Sequence, residues 1–164
     1  MKALLNIIRD RLKADSSLSY LRWVEVLDDE DILPDGFDFP GVGLKDDGQK
    51  LAQWLFPKKD EDLRVRVAPF VNLWRGVGSS VMGDATLPSN AGKGALDLAD
   101  EIAASLKFDD ESAASDYKTA LTNAGYYSLP PPDMAPSQTL VSPDGDRLVQ
   151  KRPVIFTYRR RVDL

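Results

Sequence analysis

From position 63 to position 74 the chain alternates: Leu63, Val65 and Val67 are apolar, Arg64 and Arg66 are charged, and the run continues through Phe70, Val71, Leu73 and Trp74. A period of two sends successive side chains to opposite faces, so the spacing predicts a half-buried strand. Pro69 has no N–H to give a ladder, which places this strand at a sheet edge or bulges it there. A chain organised around such a strand needs a sheet, and its other segments decide what covers that sheet.

Residues 2–15 place Leu4, Leu5, Ile8 and Leu12 on one helical stripe, with Arg9, Arg11 and Lys13 mostly outside it. Residues 21–27 are rich in β-formers and predict a strand. Phe39-Pro40-Gly41-Val42-Gly43-Leu44 reads as a short strand entered through proline, followed by a polar turn over 45–50. Residues 51–56 fit a strand or a helical turn equally. Residues 75–94 contain five Gly with Ser, Asn and Pro, and read as a long flexible loop. A second helix is expected over 95–108, where Leu98, Ile102 and Leu106 share a stripe with Ala95, Ala99 and Ala103. Weaker helical character runs over 111–124 through Ala114, Tyr117 and Leu121, within a stretch, 109–136, that reads as an insertion. Pro130, Pro131 and Pro132 impose an extended segment. Strands over 137–141 and 147–162 flank Pro143-Asp144-Gly145-Asp146, which is hairpin-turn chemistry. On the last strand Val154, Phe156 and Tyr158 share one face, and Ile155, Thr157 and Arg159 the other.

This order predicts an α+β fold: a mixed, mostly antiparallel sheet with two main helices packed on one face. A chain of 164 residues, 43% of them apolar, suits a single domain over 1–164. No apolar run approaches the ~20 residues that cross a bilayer. Met1-Lys2 leads directly into an amphipathic pattern, which predicts no signal peptide and no membrane association.

The chain has no Cys and no His. That excludes disulfides, thiolate nucleophiles, Ser-His-Asp triads and metal sites built on imidazole or thiolate. Catalysis would fall to carboxylates, Lys, Tyr, Ser or Thr. The net charge is −5, and it is unevenly spread: residues 1–136 hold 15 Lys/Arg against 23 Asp/Glu, and residues 137–164 hold six against three. An acidic chain is a poor general ligand for a phosphate backbone. Such polarity suits either a head-to-tail homo-oligomer or an ordinary solvated surface.

Residues 28–38 hold six acids in eleven positions and no base. An EF-hand would need Glu at position 42, which is Val, so a solvated loop is the simpler reading and no metal site is assigned. Ala91-Gly92-Lys93-Gly94 lacks the P-loop pattern, since position 87 is Leu and position 94 is Gly. No cofactor and no catalytic residue is assigned. Arg159, Arg160 and Arg161 close the last strand, with Arg160 in register with Tyr158 and Phe156 beside the core edge. They read either as a solubilising chain end or as a subunit contact, in which they would meet Asp28, Asp29 and Asp31 of a neighbouring copy.

The ordered layout resembles the tail terminator, or neck, proteins of long-tailed phages and prophages, of the lambda type or the Mu-like prophage group. The resemblance runs through the N-terminal helix, the Phe39-Pro40-Gly41-Val42 strand, the long strand from Leu63, the loop, the helix from Ala95, and the closing Val154-Ile155-Phe156-Thr157-Tyr158 strand. It implies a tail-terminator-like fold and a non-enzymatic structural protein of the virion, assembled in the bacterial host cytoplasm. Such a protein forms a homo-oligomer, usually a hexamer ring, that ends tail polymerisation and takes part in head-tail joining. Its partners would be the tail tube protein and a head-completion protein, with DNA passing through the lumen without specific binding. The alternatives are another tail-completion or baseplate component, a small carboxylate- or metal-dependent enzyme using the acidic loop, and a monomeric adaptor.

Overall fold

A computed structural model describes residues 1–32, 36–72, 79–87, 89–107, 115–141 and 148–163. In chain order the elements are α1 (Lys2–Ala14), a 3-10 turn (Ser16–Leu18), β1 (Trp23–Val26), β2 (Gly41–Leu55), β3 (Lys58–Asn72), α2 (Ser79–Met82), and a second 3-10 turn (Ser89–Gly92). There follow α3 (Ala95–Ser105), α4 (Ser115–Asn123), β4 (Tyr126–Met134), β5 (Gln138–Val141), β6 (Leu148–Lys151) and β7 (Val154–Asp163). The expectations for Pro34 and Asp35, Leu73 and Trp74, Phe108, Ala114 and the 143–146 turn fall outside the described residues.

The fold is α+β, with a mixed, mostly antiparallel sheet that holds seven strands among the described residues. Among these, only β1 and β2 run parallel; the other pairs are antiparallel. Leu63, Val65 and Val67 of β3 point to one face and are fully buried there, beside Val154, Phe156 and Tyr158 of β7. Three helices cover that face. Alpha-1 contributes Leu4, Leu5, Ile8 and Leu12, α3 contributes Ala99 and Ile102, and α4 contributes Tyr117 and Leu121. The third helix comes from the segment whose helical pattern was weak. Its Tyr117 is nonetheless buried, and the hydroxyl lies 2.8 Å from that of Tyr158. Burial pushes both phenols up from their ordinary range. Arg11 of α1 donates to the Ser105 carbonyl in the last turn of α3 at 3.0 Å, satisfying an acceptor that a helix end leaves free.

A parallel pair such as β1 and β2 needs a crossover. Here residues 27–32 and 36–40, between the two strands, lie on the face away from the helices. Under them lies a second, smaller core of Leu27, Ala68, Phe70 and Val149, with Trp23 and Phe39 against it. The Trp23 ring lies directly over Gly41, its neighbour on β2, and donates through Nε1 to the Asp38 carbonyl at 2.6 Å.

Three strand boundaries differ from expectation. The polar 45–50 segment is not a turn, because β2 continues through it. Asp46 Oδ1 accepts from the Gly48 N–H at 2.7 Å and Gly48 takes φ +96°, so the same Asx-Gly chemistry that makes turns here makes a bulge opposite Arg64. Strand β3 begins at Lys58, five residues earlier than the apolar alternation, because Lys58 to Asp62 find cross-strand partners. The single strand expected over 147–162 is β6 and β7, interrupted at Arg152 and Pro153. Both pair with β3 in one unbroken register, Phe70 opposite Lys151 and Val67 opposite Val154. The interruption lies where Pro69 and Pro153 each withhold a ladder donor. Within 75–94, where composition predicts only loop, the described residues hold the helical turn α2 and a 3-10 turn, tied by the Asp84 N–H to the Gly92 carbonyl at 2.7 Å.

A Cβ at position 41 would sit 2.0 Å from the Trp23 indole, and that ring is hemmed in by Phe37 and Phe70. Gly41→Ala is therefore expected to destabilise the fold by about 1–3 kcal/mol through overpacking. The check is urea unfolding, with a lowered midpoint at an unchanged slope.

Candidate functional site

Strand β1 borders β2 only along Gly41–Leu44. From Lys45 to Leu55, β2 runs on with no outer neighbour among the described residues, paired on its inner side to β3. At about 3.3 Å per residue this stretch is roughly 35 Å long. Strand β7 accompanies it to Asp163, opposite Lys58. The result is an arm of three strands whose outer part leaves the helical core behind: Leu51, Trp54, Leu55 and Phe56 are 54, 58, 40 and 84% exposed. Residues 51–55, which periodicity left undecided, are strand, and Phe56-Pro57 forms the tip.

The arm carries the three arginines that the sequence singled out. Each sits directly opposite an acid of β3: Arg159 opposite Asp62, Arg160 opposite Glu61, Arg161 opposite Asp60. Two of the pairs are bidentate. Arg159 donates to Asp62 at 2.7 and 3.1 Å, and Arg161 to Asp60 at 2.8 and 3.1 Å. Arg160 takes the other face, where it reaches Glu61 at 2.9 Å and stacks over the Tyr126 ring at 5.7 Å. Lys59 meets Glu61 at 2.7 Å, and Lys58 meets Asp163 at 3.3 Å, so the ladder of charge runs to the tip. Hydrogen bonds from Arg161 hold the Asp60 carboxyl below the usual range, and those from Lys59 and Arg160 do the same for Glu61. The planar guanidinium fork suits two carboxylate oxygens at once, and pairs directly opposite across a ladder resist sliding. The chain end is thus a charge-locked strand, and the arginines engage acids of their own chain.

Asp28, Asp29 and Asp31 lie far from the tip, on the crossover over the second core. Asp28 is exposed, and Asp29 is 4.0 Å from Lys45 and accepts from the Asp31 N–H. Asp31 binds Lys151 at 2.5 Å, and that hydrogen bond holds its carboxyl below the usual range. Glu30, which no sequence pattern marked, is 5% exposed and receives Arg66 at 2.6–2.7 Å and Lys151 at 3.4 Å. Lys151 is fully buried. The acidic segment is therefore not merely solvated: two of its acids neutralise a buried ammonium that β6 carries into the second core. Among the described residues no group of acids is arranged to hold a metal ion, and no helix is long and apolar enough to cross a membrane.

The acids of the ladder were in view in the sequence. Asp60-Glu61-Asp62 and Arg159-Arg160-Arg161 are runs of equal length and opposite sign, but their pairing depends on an antiparallel register across almost a hundred residues. A groove of about 330 Å³ completes the surface. Leu129 and the Pro130–Pro132 run form one wall, and Ala103 and Leu106 the other. No family model matches the chain, and no curated protein matches it.

Removing one partner of a buried ion pair strands the other. Glu30→Gln should destabilise by about 3 kcal/mol in chemical unfolding, while Asp28→Asn, at an exposed acid, leaves the midpoint unchanged. The lowered carboxyl values of Asp31, Asp60 and Glu61 give stability that is full above the ordinary carboxylate range and is lost as pH falls through their lowered values. Thermal melts should therefore show the midpoint falling below about pH 4, with a shallower fall in Asp31→Asn.

Proposed function

We propose that this chain is a non-enzymatic structural protein of a phage or prophage tail, a terminator subunit that assembles into a ring, of six copies on the family pattern. The ring would cap the tail tube protein, end tail polymerisation and receive a head-completion protein, while DNA passes through its lumen unbound. The observation that carries this reading is the arm. An arm stiffened by paired charges and ending in exposed Trp and Phe is an assembly device, because a monomer gains nothing from holding such side chains in water. The layout of N-terminal helix, Phe-Pro-Gly-Val strand, long strand from Leu63, helix from Ala95 and closing strand supports the same reading. So does charge: an acidic body does not retain a polyanion passing through it.

Native mass spectrometry across a wide concentration range, with negative-stain imaging, tests the reading. A closed ring with a central hole is expected, and its addition to polymerising tail tube protein should yield capped tubes of limited length. A protein that stays monomeric at every concentration and neither binds nor caps the tube overturns it.

A further inference from the structure

We infer that the cleft beside the start of β1 is a binding site for a small organic carboxylate, with Arg22 taking the carboxylate and Tyr20, Phe39 and Pro40 the apolar body. The inference goes beyond the assembly reading and does not rest on it, so either can fail alone.

The cleft follows from how the first strand pair begins. Arg22 precedes β1, and its N–H donates to the Pro40 carbonyl at 2.8 Å, one step outside the Trp23–Gly41 pair. That bond sets Phe39 and Pro40 beside Arg22. The rest of the wall comes from Val71 and Asn72 at the end of β3, and from the second 3-10 turn and its flank through Asn90 and Lys93. Together they enclose about 360 Å³, within the range of small-molecule sites. The wall is held before anything binds. Lys93 lies over the Tyr20 ring at 4.6 Å, and both donate to Glu101 of α3, Tyr20 through its hydroxyl at 2.5 Å. A cleft ordered in advance loses little entropy when it is filled.

Charge and hydrogen bonding then select the ligand. Among the described residues that line the cleft, Arg22 and Lys93 are the charged ones and none is an acid, in a chain whose net charge is −5. The Arg22 side chain is exposed and makes no ion pair or hydrogen bond among the described residues. The side-chain amides of Asn72 and Asn90 are also without hydrogen bonds there. An unengaged guanidinium offers a planar fork that fits both oxygens of a carboxylate, and the amides add further donors. Lys93 contributes position more than charge, because Glu101 already neutralises it. Glu101 also lines, with Asp84 and Asp97, the open hollow that shares Lys93 with the cleft. A guanidinium with acids next door suits a monoanion and disfavours the second charge of a phosphate monoester. The faces of Tyr20, Phe39 and Pro40 supply the apolar surface against which a single ring would lie.

The test is a ligand-observed NMR titration of the full chain with phenylacetate, set beside phenylacetamide and phenyl phosphate. Phenylacetate should bind saturably with Kd on the order of 1 mM, as suits about ten heavy atoms. Phenylacetamide, which lacks the charge, and phenyl phosphate, which carries too much, should each bind at least about tenfold more weakly. Arg22→Gln should weaken phenylacetate at least about tenfold, after circular dichroism has established that it is folded. Only the backbone of Arg22 holds Pro40, so the ladder is untouched. If Arg22→Gln fails to fold, Asn90→Glu takes its place: it sets a carboxylate in the cleft from an exposed position and should have the same effect. No saturable binding by the parent up to about 10 mM overturns the inference, as does phenylacetate binding that survives either substitution in a folded protein. Phenylacetamide binding as tightly as phenylacetate would reduce the cleft to an apolar pocket and overturn it as well. Tighter binding of phenyl phosphate would overturn the assignment to a carboxylate.

Discussion

The pairing of β3 with β6 and β7 in a single register is the constraint on which the remaining structure depends. It survives two prolines facing each other's gap, Pro69 and Pro153, without a slip. A one-residue shift would turn Leu63, Val65 and Val67 to the wrong face relative to Val154, Phe156 and Tyr158. The same shift would set like against unlike charge out of step along the arm, and would carry Lys151 away from Glu30. One register therefore serves the main core, the buried ion cluster and the arm together.

The two faces of the sheet are covered by different means. Helices bury one face with aliphatic side chains, and their contribution follows the area removed from water. The other is covered by a crossover that is rich in acids and poor in apolar groups. It closes over the sheet because Trp23, Phe39 and Phe70 give it an aromatic floor, and because Glu30 and Asp31 meet the buried Lys151 and Arg66. Such ion pairs add little net stability against an apolar replacement, but they strongly penalise any arrangement in which one partner is missing. They determine where the crossover lies more than how tightly it holds.

The arm combines two properties that work against each other in a monomer. Its outward length is kept straight by Arg159, Arg160 and Arg161 against Asp62, Glu61 and Asp60, which makes it an ordered projection. Its tip exposes side chains that water disfavours. An ordered projection has little conformational freedom left to lose in any contact it makes.

The sequence alone determined the elements that repeat with a local period. The stripe Leu4, Leu5, Ile8 and Leu12, the alternation from Leu63, and the aromatic face of Val154, Phe156 and Tyr158 each state their own structure, because burial on one side is a local pattern. It also determined the class, since helices and hairpin strands in this order leave few ways to share one sheet. Tertiary structure alone decided what charged and polar segments do. Asp46-Asp47-Gly48 has the composition of a turn and becomes a bulge because both neighbouring stretches are already committed to one ladder. Lys58 to Asp62 look like a solvated run and become strand because Arg159, Arg160 and Arg161 arrive opposite them. Glu30 and Lys151 carry no periodic signal, and each is buried among opposite charges from distant segments, Glu30 with Arg66 and Lys151, Lys151 with Asp31 and Glu30. A charge finds its state through its partner, and partners separated by a hundred residues meet only when the sheet has formed.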